Sequence, residues 1–403
     1  MESFIARQPI FDRNQNVFGY ELLFRSSLAN YFDGSNQDKA ASSVIADSTI
    51  VFGFDTLTSG KRAFINLTKD TLINYAGLLP KDHTVLEILE TVEPDQEVIE
   101  AVKQLKKNGY MFALDDFIYN PIWEPLIEVA DIIKIDFLAS GPEERQALVQ
   151  RLKPMEKRLL AEKVETQEEF QQALAMGFDL FQGFFFAKPV ILTKRGMSGS
   201  KVSNLQILRA INKPGLNYRE IEDIIKTDLT LSYKLMSYIN SAFFGLQTEI
   251  RSIKHALVLM GEREIRKWAT LLALSTMTED KPAELLKNGA TRARMCELLA
   301  KKCGQGDKSA DYFLMGLFSI IDAIMDKNLA EILKDIPIAR DIKNALMRVA
   351  RNPFRMVLEI VLAYEKGEFA GIQRYAARVN LRETEIPKAY MEAVEWAQQL
   401  HSM

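Results

Sequence analysis

The hydrophobic grammar of the chain changes near its midpoint. In the first half, short apolar runs recur at 4–11, 16–24, 62–67, 84–89, 110–115, 131–136, 158–162 and 179–184. Runs of this length, rich in Ile, Val, Leu and Phe, predict β-strands. From the third run onward, amphipathic stretches such as Asp95–Asn108 and Gln167–Met176 separate them. Gly109 and Gly177 fall where helix C-caps belong. Strand–helix repetition predicts a mostly parallel sheet, and eight strands predict a closed barrel. The first two strands break the pattern, because only Asp12-Arg13-Asn14-Gln15-Asn16 joins them. A parallel crossover needs a dozen residues or more, so this pair must be an antiparallel hairpin. The expected fold class is α/β, a modified (β/α)8 barrel with one reversed strand.

The second half has almost no two-residue alternation. Helical periods run at 219–227, from Asp228 as N-cap to Asn240, and at 252–260, 262–277, 284–302, 308–325, 341–351, 353–366 and 384–400. Gly245, Gly261 and Gly304 punctuate them, and no fixed-length repeat is present, so a compact all-α domain is expected. The Gly/Ser run from Arg195 to Lys201 reads as the linker. The expected domains are therefore 1–195 and 201–403.

Composition narrows the function classes. With 403 residues, 47% hydrophobic and 26% charged, the chain suits two or three ordinary globular domains. A net charge of −3 excludes a strongly basic nucleic-acid binder. The halves differ, carrying −8 up to residue 195 and +5 beyond it. Two cysteines, Cys296 and Cys303, exclude a disulfide scaffold and read as packing residues. The three histidines (His83, His255 and His401) argue against histidine-rich metal chemistry. The start, Met1-Glu2-Ser3-Phe4, shows no leader pattern and no apolar stretch is long enough for a membrane span. No membrane and a cytoplasmic location are the expectations.

In a barrel of this kind, chemistry sits at the C-terminal strand ends. Here those ends carry Glu21, Asn66, Glu87 and Glu90, Asp115-Asp116, Lys134 and Asp136, Glu162 and Gln182. Converging carboxylates repel and are costly to bury unless a cation sits among them. Oxygen donors of this type suit Mg²⁺ or Mn²⁺. Two such ions can clamp the attacking and leaving oxygens of a phosphodiester, with Lys134 stabilising the attacking water or the developing charge.

Residues 1–190 resemble the EAL family of cyclic di-GMP phosphodiesterases. The resemblance rests on an ordered series: Gln8-Pro9-Ile10, Glu21-Leu22-Leu23 with Arg25, Asn66, and Glu87-Ile88-Leu89-Glu90. It continues through Asp115-Asp116-Phe117, Lys134-Ile135-Asp136, Ala161-Glu162-Lys163-Val164-Glu165-Thr166 and Gln182-Gly183-Phe184. By position it implies metal ligands at Glu21, Asn66, Glu87, Asp115 and Asp116. It implies a ligand or water-orienting base at Glu162, with Lys134 as partner of the water. Arg25 would meet a ligand phosphate, Gln182 would hold the site from the last strand, and Gln8 joins the substrate-binding set. Glu90 would support the loop after Asp115-Asp116. Three departures stand out. Glu-Leu-Leu replaces Glu-Ala-Leu. The family's Gly-Thr-Gly-Tyr-Ser-Ser type loop becomes Ile118-Tyr119-Asn120-Pro121-Ile122-Trp123. Lys163 replaces a glycine beside Glu162 and adds a cation next to the proposed metal site. A site with its ligands kept and their supports rebuilt binds metal and catalyses poorly.

The helical half resembles the HDOD domain, a relative of HD-type phosphohydrolases without their metal residues. The matching pieces are Asp228-Leu229-Thr230-Leu231, Tyr238-Ile239-Asn240-Ser241-Ala242 and Ile253-Lys254-His255-Ala256-Leu257 through Met260-Gly261. With no His-Asp pair it cannot assemble an HD metal centre. His255 reads as a packed core histidine. Lys301-Lys302 and the group Arg263, Arg266 and Lys267 read as solvated faces. The face around residues 240–245, with Phe243 and Phe244, is a candidate docking surface.

Together these readings imply a bacterial signalling protein linked to cyclic di-GMP. Its barrel binds that dinucleotide and hydrolyses it slowly with Mg²⁺ or Mn²⁺, and its HDOD half contacts an unidentified protein. Two alternatives stay open: an inactive EAL/HDOD scaffold, and a sensor that binds without cleaving. A homodimer is compatible with the resemblance, and direct nucleic-acid binding is not expected.

Overall fold

The computed structural model describes residues 4–25, 54–187, 208, 211–212, 215, 218–227, 235–240, 250, 252–278 and 281–401. The linker at 195–201, the N-cap Asp228 and most of the 240–245 face lie outside the described residues. The chain forms two compact units. One contains Met1–Lys188 with Ala363–Gln373, the other Pro189–Leu362 with Arg374–Met403.

The first unit is a closed barrel of eight strands in sequence order. They are β1 (Phe4–Asp12), β2 (Val17–Arg25), β3 (Arg62–Leu67), β4 (Thr84–Ile88), β5 (Met111–Leu114), β6 (Ile132–Asp136), β7 (Arg158–Glu162) and β8 (Leu180–Gln182). β1 runs antiparallel to both β2 and β8, and every other pair is parallel. The reversed strand is therefore β1. Its turn is tied by Asp12, whose Oδ1 accepts from the amides of Asn14 and Asn16 at 2.9 Å.

The connecting helices show the expected start signals. Asp95 caps Gln96–Lys107 by accepting from Val98 N, and Thr166 with Glu169 forms a capping box on Gln167–Met176. That second helix ends on Gly177 at φ +104°, a left-handed position that glycine occupies without strain. Gly183 is tighter still. At φ +143° its backbone lies so close to β7's exit that a Cβ would sit 2.1 Å from Val164 O.

The barrel interior is filled by one layer of side chains: Ile10, Phe64, Val85, Ala113, Ile132, Leu160 and Leu180. Side chains on a strand alternate, so the next inward position lies two residues on. Adding two gives Asn66, Glu87, Asp115, Lys134, Glu162 and Gln182. On reversed β1, subtracting two gives Gln8. The polar residues thus form the layer directly above the apolar plug, at the C-terminal ends of the parallel strands.

Beyond residue 208 every regular element of the second unit among the described residues is helical. Ile253–Met277 is one rod broken at Gly261, whose φ +69° and ψ 168° interrupt the helix where two segments were expected. Ala283–Lys302 is buried on most of its surface. It approaches Ser309–Phe318 so closely that a Cβ on Gly316 would lie 2.6 Å from Ala293 Cα. Aromatic contacts finish this core, with Phe313 edge-on to Trp396 at 5.6 Å and Tyr312 stacked on Phe354 at 4.1 Å.

Several expectations change here. The 308–325 helix is two, Ser309–Phe318 and Ile321–Met325. Ser319 ends the first, accepting from Arg292 at 2.7 Å and donating to Gly316 O at 2.6 Å. The helix placed at 341–351 stops at Leu346, with Arg348 at φ +57°. Leu329–Asp335 and Ile372–Arg378, seven residues each, are shorter than the window in which a helical period is legible. His255 is exposed, because Ala256, Leu257 and Met260 form the burying face of its turn. Lys267 is not solvated: it is 4% exposed and pairs with Glu264 and Glu297.

Candidate active site

Lys134 is the centre of the polar layer and is fully buried. Its Nζ donates to Asp115 Oδ1 at 2.6 Å. It lies 2.8 Å from Glu87 Oε1, 2.8 Å from Glu162 Oε1 and 3.6 Å from Glu21 Oε2. Four carboxylates from four strands therefore surround one ammonium. The positions are fixed by the ladder, which continues past the strand ends. Asp115 N donates to Ile88 O, Phe117 N to Lys134 O and Phe137 N to Glu162 O, at 2.9–3.1 Å.

Two amides complete the wall. Asn66 Nδ2 donates to Glu21 Oε1 at 3.0 Å, and Gln182 Nε2 donates to Glu21 Oε2 at 2.6 Å and to Gln8 Oε1 at 3.1 Å. Gln8 Nε2 in turn donates to Lys366 O at 3.0 Å, within the same compact unit. Glu21 is thus held by both amides and keeps its carboxylate directed at Lys134.

The electrostatics are unbalanced. Burial pushes the Glu162 carboxyl up to about 8, against the pull of Lys134 and with the push of Asp115 and Glu21. Burial likewise raises Glu87 well above the usual carboxylate range. Burial alone would lower Lys134, but the surrounding carboxylates hold it well above an ordinary lysine. Glu87 Oε2 has no hydrogen bond, and Oε1 has only its ion pair with Lys134. Asn66 Oδ1, Glu162 Oε2 and Gln182 Oε1 are also buried without a partner. Unpaired buried acceptors are rare and costly.

Among the described residues no group of three or more His, Cys, Asp or Glu is set as a ready-made metal cage. The carboxylates close on Lys134 instead. The donor set still fits a hard divalent cation, which takes carboxylate and amide oxygens. Four carboxylates face one ammonium, and the unpartnered oxygens are of the right type.

The remaining candidates lie apart from this cluster. Asp116 pairs with Lys163 (Nζ to Oδ1, 3.4 Å), and Lys163 also donates to Asp136 Oδ2. Arg25 ends β2, and its side chain lies outside the described residues. Glu90 is exposed. The Asp136–Lys163 pairing was not foreseen, although Lys163 following Glu162 was the visible signal. The loop at 118–123 is a defined turn. Asn120 caps a 3₁₀ turn over Pro121–Trp123, and Arg151 lies 3.5 Å over the Tyr119 ring beside Glu124. Ile118 and Ile122 are exposed on it.

Comparisons with known proteins agree with this architecture. The EAL domain matches residues 55–189 and the HDOD domain residues 201–336. Two relatives match over nearly their whole length. The cyclic di-GMP phosphodiesterase CdgJ of Vibrio cholerae is 34% identical over 405 residues, covering 100% of this chain and 94% of the relative. The uncharacterized protein YuxH of Bacillus subtilis is 35% identical over 409 residues, covering 99% of each. This chain belongs to the family of proteins that join an EAL domain to an HDOD domain. A crystal structure of an EAL domain protein from Listeria monocytogenes is 19% identical, covers 46% of this chain and 87% of its own, and has a TM-score of 0.38. That last likeness is too low to bear on the site. Among the described residues no helix is long and apolar enough to cross a membrane.

Proposed function

We propose that the barrel binds cyclic di-GMP and hydrolyses it slowly to the linear dinucleotide, with Mg²⁺ or Mn²⁺ held by the carboxylate layer. The carrying observation is the buried excess of four carboxylates over one ammonium at the mouth of an EAL barrel, with acceptor oxygens left unpaired. The name of the Vibrio cholerae relative supports the same substrate.

Glu21, Asn66, Glu87 and Asp115 would hold the ion. When bound, a divalent cation supplies Lewis acidity to a phosphodiester oxygen and favours ionised ligands. The chain's own residues do the rest. Glu162, its proton affinity raised by burial, would take a proton from the attacking water once ionised. Water would add to phosphorus as the P–O3′ bond breaks; the 3′-oxygen takes up a proton from solvent, and Glu162 returns the water's proton to solvent. Lys134 holds Glu87, Asp115 and Glu162 at fixed distances and would offset the negative charge that develops on the phosphoryl oxygens. Gln182 and Asn66 orient Glu21. Turnover is slow because the loop after Phe117 is a proline-braced turn and Lys163 occupies the rim.

The helical half serves as a protein-docking module in a cytoplasmic signalling protein. It has no His-Asp pair, and its buried Lys267 and Arg294 both pair with Glu297. The test is turnover of cyclic di-GMP by purified protein with Mg²⁺ or Mn²⁺. Slow hydrolysis abolished by Glu21→Ala is expected. Fast turnover contradicts the account of the loop. Hydrolysis untouched by Glu21→Ala means the activity lies elsewhere.

A further inference from the structure

We propose that the Lys163 ammonium is the resident cation of the Asp116–Asp136 pair, so that the barrel takes up one divalent metal ion and Asp116 is not among its ligands. This rests on the metal-site reading above and limits it.

The acid groups at the barrel mouth fall into two sets with different states. The inner set is Glu21, Glu87, Asp115 and Glu162 around Lys134, with acceptor oxygens of Glu87 and Glu162 unpartnered. The outer set is Asp136, one inward position beyond Lys134 on β6, and Asp116 on the loop after β5. Three of its four carboxylate oxygens are engaged. Asp136 Oδ1 accepts from Leu138 N at 2.6 Å and Ala139 N at 3.1 Å, and its Oδ2 accepts from Lys163. Asp116 Oδ1 accepts from the same ammonium at 3.4 Å. The bond from Lys163, with the two backbone amides, holds Asp136 below the usual carboxylate range despite its partial burial. An ion entering here must displace an ammonium already bonded to both acids. In the inner set it meets unused oxygens.

The backbone is shaped for this arrangement. Lys163 has φ +54° and Asp116 φ +38°, left-handed positions that residues with a Cβ rarely take. Such a position is strained and persists where its surroundings hold it. Here Val164 N donates to Gln182 O at 2.9 Å and Phe137 N to Glu162 O at 3.1 Å, fixing the chain on both sides of Lys163. As a result, Glu162 and Lys163, consecutive in sequence, serve different sets. Glu162 faces the inner one and Lys163 closes the outer one. A glycine at 163 would keep this φ without strain and remove the cation.

The experiment is Mn²⁺ binding to the full chain, read by isothermal titration and by electron paramagnetic resonance. The wild type should bind one Mn²⁺ per chain with the spectrum of an isolated ion. Asp116→Asn should keep that stoichiometry, with a Kd within about threefold. Asp115→Asn should weaken binding at least tenfold. Lys163→Gly should gain a second, weaker site with a spin-coupled signal. Two ions per wild-type chain, a tenfold loss of affinity in Asp116→Asn, or a single ion in Lys163→Gly each overturn the proposal. Two ions would leave the metal-site reading standing, and no Mn²⁺ binding by the wild type would sink both.

Discussion

Each half of the molecule buries a cluster of charged side chains, and the two clusters are opposites. In the helical unit, Glu297 lies 2.9 Å from Lys267 and 2.8 Å from Arg294, while Lys267 also pairs with Glu264. Glu392 and Lys301 add contacts from the half-exposed rim. Acids and bases there are matched. In spite of burial, Lys267 and Arg294 pull the Glu297 carboxyl below its ordinary range. In the barrel, among the described residues, four acids face Lys134 alone, and burial drives Glu162 up to about 8. Both glutamates are buried. What separates them is the count of cations. A matched cluster is a structural fastener. An acid-rich one is a site waiting for positive charge.

The comparison breaks most visibly at the two lysines. Lys134→Met strips the inner acids of the one cation they face among the described residues and should destabilise the metal-free protein by about 3–5 kcal/mol. Urea unfolding in EDTA measures this, and Mn²⁺ should restore part of the loss. Lys267→Met should cost less, about 2–3 kcal/mol, because Arg294 still pairs with Glu297, and Mn²⁺ should restore nothing. Equal metal rescue of both variants would erase the distinction.

The second contrast is in pH. A carboxyl whose folded value is near 8 and whose unfolded value is near 4.5 binds its proton more tightly when folded. Its contribution is present below about 4.5 and is lost as pH rises through about 8. Without metal, the melting temperature should therefore fall between those limits, and Glu162→Gln should flatten that slope. Bound Mn²⁺ should flatten it too, by holding the carboxylate ionised. For Glu297 the sign is reversed: its depressed value contributes stability above the ordinary carboxylate range that is lost on acidification. If Glu162→Gln leaves the slope unchanged, another group carries it. The smallest expected effect is local. Thr166→Ala removes one capping box and should cost about 1 kcal/mol without changing metal binding.

Much of the barrel was legible because its rules are short-range. Short apolar runs located all eight strands, and a five-residue turn forced the first two to be antiparallel. Alternation along each strand places Asn66, Glu87, Asp115, Lys134, Glu162 and Gln182 in one layer, since each follows an apolar plug residue by two. What the pattern hides is side-chain direction off the strands. Asp115 and Asp116 are adjacent, yet the first turns to Lys134 and the second to Lys163. That choice is made by a left-handed φ at residue 116, which no hydrophobic pattern encodes. The helical half was legible where helices are long, and lost where seven-residue helices and Ser319 cut the period. Lys267 was misread because a lysine on a polar face looks solvated until Glu297, thirty residues on, is packed beside it.

The most direct test of the acid-rich barrel site is thermal unfolding titrated with Mn²⁺ or Mg²⁺. An ion that binds only the folded chain stabilises it by about 2.7 kcal/mol at a hundred times Kd. The wild type should show a rising melting temperature that saturates, and Glu87→Ala should abolish the rise. A melting temperature unmoved up to millimolar metal, in wild type and variant alike, would contradict the account.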